Sequence, residues 1–351
     1  MILKKITHKL LPPPSSISSL GPNRIGWVDW SKAIGILFVV MGHSDYSNPD
    51  IVPMIYMIHM PLFFVVSGYL FNTDKSVKQI TQKNIRGLII PYILYNMLFA
   101  AYWILLGTLK TIVGQDFSWG DCLVTPAYHF LFGIAKGNFD GPTWFLLALI
   151  WCKYISYLLH NARVWCKTAA IVIWFGLFYV RQATGWHFIY ALDCACAGMI
   201  WFELGQIIRL NKDRIKIPNF VFAALIPVGI AICYYVMNNN GNCNYILADV
   251  GGLFGLFGTA LGLLAFFSFC KLVGRYNNRL IVLVSKASIV IMCLHMLINT
   301  QIYNVLHCQH QSFYTFAVDL MITILLALLY PLIKRYVPAM VGSNYISHKK
   351  V

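Results

Sequence analysis

Charged side chains are scarce in this chain: they make up 11% of its 351 residues, whereas hydrophobic residues make up 59%. A soluble domain carries about 25% charged and about 45–50% apolar residues, so the composition excludes an ordinary soluble fold. There is no Cys-x-x-Cys pair either, and most of the 10 cysteines stand inside apolar runs. We therefore expect reduced packing cysteines, which excludes a disulfide or zinc framework.

Several catalytic and binding motifs are also missing. The sequence has no Gly-rich phosphate loop and no Gly-x-Ser-x-Gly nucleophile turn, and its two halves do not repeat each other. No His-x-x-x-His or Glu-x-x-His spacing places two metal ligands on one helix face. We accordingly predict no metal site.

Long apolar runs fill the chain instead. Most are near the roughly 20 residues that a helix needs to cross a hydrocarbon core of about 30 Å. We predict an all-α integral membrane protein with about ten transmembrane helices, at residues 26–45, 51–71, 88–109, 141–159, 168–183, 187–208, 217–237, 249–270, 286–306 and 312–333.

The basic residues orient these helices. With the N-terminus inside, the cytoplasmic pieces hold 24 of the 27 Lys and Arg residues, and the outer pieces hold only Lys110, Lys136 and Arg181. Such an asymmetry is typical of multi-pass membrane proteins. We predict that the N- and C-termini are both cytoplasmic, with short tails at either end. The net charge of +15 does not indicate nucleic acid, because the basic residues lie in short clusters between apolar runs.

Three ionisable residues form a stripe along the first segment. Lys32 and His43 are eleven residues apart, which is about 20° beyond three helical turns, so they share one helix face roughly 16 Å apart along the axis. Asp29 lies about 40° off the same line. A polar stripe on a membrane helix is expected to face the interior of the bundle.

A polar break follows this stripe. The fully apolar stretch from Ala33 to Met41 is short, and the chain then becomes polar through Asp50. Irregular polar backbone inside a membrane is tolerated only where protein or a water-filled cavity covers it, so we predict a polar cavity beside His43. His59 and Pro61 stand on the next segment, and the two histidines are expected to converge there.

Each of these residues also has an ordinary structural interpretation. His59, and His295 in a later segment, would then only bond a neighbouring helix. Lys32 would be a boundary lysine that extends to the headgroups, and Asp29 an acid favoured at a helix start. The stripe and the polar break favour a functional interpretation for His43.

The motifs together resemble the membrane acyltransferase-3 family, which includes bacterial O-acetyltransferases of surface polysaccharides. Its hallmark is a basic residue, ten arbitrary residues and then histidine, which Lys32 and His43 match with Lys where many relatives have Arg. The resemblance extends over about residues 25–335. It is carried by segments 28–32, 42–44, 59–64, 67–69, 141–146, 203–205 and 294–295.

The resemblance implies transfer of an acyl group, most simply acetyl, from acetyl-CoA to a carbohydrate hydroxyl. Acetyl-CoA would be a co-substrate, with no bound cofactor. The protein would lie in the bilayer of a bacterial inner membrane. Its ten-helix acyltransferase domain would comprise residues 25–337, between tails at 1–24 and 338–351. His43 would act as base or acyl carrier, Lys32 would bind the donor, and His59 would orient a group or relay a proton. The implied supporting residues are Asp29, Ser67, Trp144, Glu203 and His295.

A secondary transporter or glycan exporter is the alternative function. It too would have about ten helices, a central cavity and ionisable residues inside the membrane. Such proteins often show paired inverted halves, which this sequence lacks. Neither the acceptor sugar nor the oligomeric state is predicted.

Overall fold

The computed structural model describes residues 24–44, 51–214, 217–239, 243–306 and 313–342. At residues 300–306 and 313–315 it describes the backbone alone. These residues form helices and no named strand; an isolated bridge joins Asn244 and Asp249. The α-helices are α1 Gly26–Gly42, α2 Val52–Leu70, α3 Val77–Asn84, α4 Ile90–Ile112, α5 Thr125–Phe132, α6 Trp144–His160, α7 Val164–Thr184, α8 Leu192–Leu210, α9 Asn219–Asn238, α10 Gly252–Val273, α11 Arg279–Leu306 and α12 Phe313–Tyr336.

Nine helices within these ranges are long and apolar enough to cross a membrane. The helix α1, with 17 residues, supplies the remaining predicted segment and is shorter than the others. The prediction of an all-α, multi-pass membrane protein is therefore confirmed.

The first predicted segment is shorter than expected. It was placed at 26–45, but α1 ends at Gly42, and His43 caps it with non-helical backbone angles. The rest of the predicted polar break, residues 45–50, lies outside the described residues, as do residues 1–23 and 343–351 of the predicted tails.

The third predicted segment begins earlier than residue 88. Helix α3 starts at Val77 because Ser76 and Gln79 form a capping box, in which each side chain accepts a hydrogen bond from the other's backbone N–H. A π-helical turn at Ile85–Ile89 then joins α3 to α4. Pro91 stands two residues after this turn and has no N–H to donate into it, which is consistent with the altered hydrogen-bond pattern.

Two further differences concern the middle of the chain. The fifth segment, predicted at 168–183, is a longer helix of 21 residues, Val164–Thr184. The long predicted loop at 110–140 contains a short helix, Thr125–Phe132, which the apolar pattern did not indicate.

The chain forms two compact units. The first comprises residues 1–66, 210–243 and 251–330, and the second comprises residues 67–209, 244–250 and 331–351. Helices α1, α9, α10, α11 and most of α2 and α12 thus belong to the first unit, and α3 to α8 belong to the second.

In the first unit, α1 and α11 pack side by side in the same direction. Ser285 on α11 donates to Asp29 near the start of α1, and ten residues later His295 lies beside His43 at the end of α1. Successive membrane segments cross in opposite directions, so the first and the ninth of ten segments should run in the same direction. The parallel packing of α1 and α11 agrees with this. The two contacts fix the register of α1 against α11.

In the second unit, the end of α2 packs closely against α8. A side chain at Gly68 would overlap the backbone of Phe202, so only glycine fits there. Gln206 donates to the Gly68 carbonyl and, at 3.0 Å, to the Phe71 carbonyl. The bond to Phe71 satisfies a backbone acceptor just past the end of α2, and the Gly68 carbonyl also accepts from the Phe71 N–H.

Replacing Gly26 by alanine would place a methyl group on the Gly274 carbonyl oxygen, where the start of α1 meets the turn after α10. Overpacking of this kind costs about 1–3 kcal/mol, so we expect G26A to lower the thermal unfolding midpoint of the purified protein. The control is G176A in α7, where an added methyl group meets nothing within 4 Å. Equal midpoints for the two variants would contradict the close crossing.

Candidate functional site

Three histidines from three helices of the first unit meet at one point. His43 ends α1, His59 lies in α2 and His295 lies in α11. The His43 ring centroid lies 6.3 Å from that of His59 and 5.2 Å from that of His295. The predicted convergence of His43 and His59 is confirmed. His295 joins them, although 236 positions in the sequence separate it from His59.

Each of these rings is held by its own helix. The Nδ1 atom of His43 lies 2.8 Å from the Val39 carbonyl oxygen, and that of His59 lies 2.7 Å from the Ile55 carbonyl oxygen. The Nδ1 atom of His295 likewise faces the carbonyl oxygens of Ile291 and Met292, at 3.0 and 2.8 Å. A carbonyl oxygen only accepts, so Nδ1 carries the hydrogen in each ring. In the neutral rings, Nε2 therefore holds the lone pair.

The three rings differ in accessibility. His295 is 0% exposed and His59 is 2% exposed, whereas His43 is half-buried. Among the described residues, the Nε2 atom of His295 has no hydrogen-bond partner. His43 is thus the most exposed of the three residues, and the other two lie buried beside it.

Tyr56 completes this cluster, and the sequence-based prediction did not include it. Its hydroxyl donates to the Gly42 carbonyl oxygen over 2.7 Å, and its ring centroid lies 6.1 Å from that of His43. The signal available in the sequence is its spacing, since Tyr56 precedes His59 by three residues and so shares its helix face. Tyr56 ties α2 to the last turn of α1.

A second tie holds the end of α1. The Ser44 hydroxyl lies 2.9 Å from the Val40 carbonyl oxygen and donates to Asp319 on α12 over 2.6 Å. Asp319 is 2% exposed. It stands inside the last apolar segment, and an acid at such a position is itself a signal of function that the sequence-based prediction passed over. The residue next to His43 is thereby anchored to a third helix.

The start of α1 is anchored by Asp29. Its carboxylate accepts hydrogen bonds from Arg24, from Asn277 over 2.9 Å and from Ser285 over 2.9 Å. Asp29 is 4% exposed, so this is a nearly buried ion pair with its remaining acceptor sites filled. The sequence left Asp29 either as an acid favoured at a helix start or as a supporting residue of the site; the structure pairs it with Arg24.

Lys32 lies one turn further along α1 and is half-buried. No carboxylate in the described part of the chain is within ion-pair distance of its ammonium group. Because α1 is continuous from Gly26 to Gly42, Lys32 lies three turns before His43 on the same side of the helix.

The remaining predicted residues lie in the second unit. Trp144 is 5% exposed at the start of α6, next to Phe145, and Ser67 lines a cavity together with Lys83. Sequence position would allow Glu203 to pair with Arg209, but Arg209 donates instead to a backbone carbonyl, that of Tyr69, over 3.3 Å. Within the first unit, the structure brings together His43, His59 and His295 from the predicted set.

The cluster does not have the geometry of a metal centre. Within the described ranges, no three His, Cys, Asp or Glu side chains are arranged to hold a metal ion. Each of the three neutral rings has a lone pair on Nε2, and the ring of His43 is half-buried. Such an arrangement suits proton transfer or nucleophilic attack.

The fold and the matched sequence define an integral membrane acyltransferase. The family model of an acyltransferase domain, acyltransferase 3, matches residues 25–333. The chain belongs to this acyltransferase-3 family. No curated protein and no solved structure is detectably similar to it. Membership implies a bilayer environment, an acyl donor and an acyl acceptor.

Removing the charge of Asp29 is expected to destabilise the protein. D29N leaves Arg24 without its counter-ion, and breaking a buried pair in this way costs up to about 3 kcal/mol. We expect a lower thermal unfolding midpoint in detergent. The control is D74N, because Asp74 is exposed and its carboxylate makes no ion pair among the described residues. Unchanged unfolding of D29N would show that the Asp29 contacts do not hold α1.

Proposed function

We propose that this protein transfers an acetyl group from acetyl-CoA to a hydroxyl group of a carbohydrate, with His43 as the reacting residue. The observation that carries the proposal is the state of the His43 ring. Its Nδ1 atom donates a hydrogen bond to the Val39 carbonyl oxygen, so the lone pair of the neutral ring is on Nε2. The ring is half-buried and lies beside two buried rings.

The simplest reaction is direct transfer. The Nε2 atom of His43 removes the proton from the acceptor hydroxyl as its oxygen attacks the thioester carbonyl carbon. The carbon–sulfur bond then breaks, and the departing thiolate takes the proton from His43. The products are an acetyl ester and free coenzyme A, and His43 returns to its starting state.

A covalent route uses the same atoms. The Nε2 atom of His43 attacks the thioester carbonyl carbon, the carbon–sulfur bond breaks, and coenzyme A leaves as a thiolate. The acceptor oxygen then attacks the acetyl carbon, the carbon–nitrogen bond to the ring breaks, and the hydroxyl proton passes to the freed Nε2 atom and from there to the thiolate. Both routes need a deprotonated Nε2 atom, which the bond from Nδ1 to Val39 provides in the neutral ring. Rapid-quench trapping of an acetyl group on His43 would distinguish them.

His59, His295 and Tyr56 are positioning residues in this proposal. His59 and His295 are too buried to meet a substrate, and each lies beside the His43 ring. Tyr56 bonds the Gly42 carbonyl, which belongs to the peptide group that precedes His43. Together they restrict the orientation of the reacting ring, and such positioning lowers the entropic part of the barrier.

Lys32 is proposed to attract the anionic donor. No described carboxylate lies within ion-pair distance of its half-buried ammonium group, and the nearby Asp29 is already paired with Arg24, which favours interaction with an external anion. Lysine acts as a point charge and lacks the two-pronged grip of arginine on phosphate, so its contribution is attraction more than orientation. The proposed setting is a bacterial inner membrane, with the donor on the cytoplasmic side.

Replacing His43 by alanine removes the proposed base and acyl carrier. We expect H43A to lower acetyl transfer by roughly 10²–10⁴-fold, at matched protein level and unchanged unfolding temperature. The measurement is acetyl incorporation into cell-surface glycan, followed by mass spectrometry. The control is H160A, because His160 is exposed at the end of α6. Near-normal acetyl incorporation by H43A would contradict the proposal.

Replacing Tyr56 by phenylalanine removes one hydrogen bond and keeps the ring. A hydrogen bond of this kind contributes about 1 kcal/mol, so we expect kcat to fall about fivefold, with little change in the KM for acetyl-CoA. Steady-state kinetics of the purified Y56F variant provide the measurement. A change in KM alone would show that Tyr56 binds donor and does not position His43.

A further inference from the structure

A basic pocket in the second unit is not used by the mechanism above. Helix α3, the π-helical turn after it and Lys153 of α6 surround a volume of about 540 Å³. A smaller compartment of about 200 Å³ adjoins it. Lys75, Lys83 and Lys153 line both compartments, so three ammonium groups converge where the two volumes meet.

The charge of this pocket is one-sided. Arg86 joins the three lysines in the larger compartment, and the residues that line the two compartments include no carboxylate. Like charges brought together repel one another, and the repulsion is relieved when an anion binds among them. The pocket therefore has the electrostatic character of an anion site.

Asn84 supplies a second and independent observation. It is 2% exposed and lines the smaller compartment. Its Oδ1 atom accepts a hydrogen bond from the Lys153 ammonium over 3.3 Å, which turns the amide nitrogen the other way. In the described part of the chain that Nδ2 atom has no hydrogen-bond partner. A buried donor left without an acceptor is destabilising, so an acceptor group from a ligand would stabilise it.

The local sequence explains why these residues share one side. Gln79, Lys83 and Arg86 follow one another at spacings of four and three, which places them on one face of the helix. The capping box at Ser76 sets where that face begins, and Lys75 stands immediately before it. Lys78 lies on the same helix but does not line the pocket.

We propose that this pocket binds the phosphate groups of a nucleotide-type acyl donor such as a CoA thioester. The assignment of a phosphate-rich anion stands on the pocket itself, and the assignment to the acyl donor rests on the proposed function. The positive-inside pattern predicts that this segment is cytoplasmic, where such a donor is available. The larger compartment lies within the range of about 300–1,000 Å³ that is usual for small-molecule sites.

Binding of coenzyme A to the purified protein in nanodiscs tests the site without requiring catalysis. A charged hydrogen bond contributes about 1.5–3 kcal/mol, so we expect K83Q and R86Q each to weaken binding by at least about tenfold. K78Q is the matched control and should bind coenzyme A as the wild type does. Both Lys83 and Arg86 are exposed, so these substitutions leave the packing intact.

Two further probes separate the sources of phosphate. Pantetheine lacks the nucleotide phosphates, so its binding should be the same in K83Q, R86Q and K78Q. Nanodiscs of phosphatidylglycerol and of phosphatidylcholine test an anionic lipid headgroup as the occupant. Equal coenzyme A affinity in all variants would overturn the proposal. So would an effect of K83Q and R86Q that appears only as weaker association with phosphatidylglycerol.

The failure of this inference and that of the catalytic proposal are distinguishable. If H43A retains activity while K83Q and R86Q lose coenzyme A binding, the pocket is supported and the role of His43 is wrong. If H43A is inactive while K83Q and R86Q bind coenzyme A as tightly as K78Q, the pocket assignment is wrong and the role of His43 stands.

Discussion

The hydrogen bond from each histidine Nδ1 to a carbonyl of its own helix is the interaction on which the site depends. Inside a bilayer no water satisfies a polar group, so an imidazole must find its partner in the protein. His43, His59 and His295 each find it about one turn earlier in the same chain segment. The bond fixes the tautomer, so the lone pair of each neutral ring is on Nε2. A local backbone contact thus decides which ring nitrogen is available as a base or nucleophile.

The position of the His43 ring depends in turn on how α1 is held at both ends. At its start, Asp29 joins Arg24, Asn277 and Ser285 in one network, and at its end Ser44 bonds Asp319. These ties bring α11 and α12 against α1. The rings of His43 and His295 meet because the register of two parallel helices is set at a distance from them. The contacts of Asp29 that stabilise the start of α1 therefore also affect the position of His43 at its end.

Much of this arrangement is predictable from the sequence, and the rest depends on tertiary contacts. Apolar run lengths give the all-α membrane fold, and helical periodicity places Lys32 and His43 on one line. The partners of Asp29 are not predictable, because Asn277 and Ser285 are about 250 positions away. The basic pocket is not predictable for another reason. Its lysines lie at a predicted membrane boundary, where basic residues are common, and only the folded structure shows that Lys83 and Lys153 line the same cavity.

We propose that the histidine cluster supports acyl transfer and not solute transport. Purified protein in liposomes, supplied with acetyl-CoA and a carbohydrate acceptor, tests it directly when free thiol and acetyl ester are measured in the same sample. Transfer predicts one thiol released for each ester formed, with neither product when the protein is omitted. Movement of acceptor across the liposome membrane without thiol release or ester formation would contradict it.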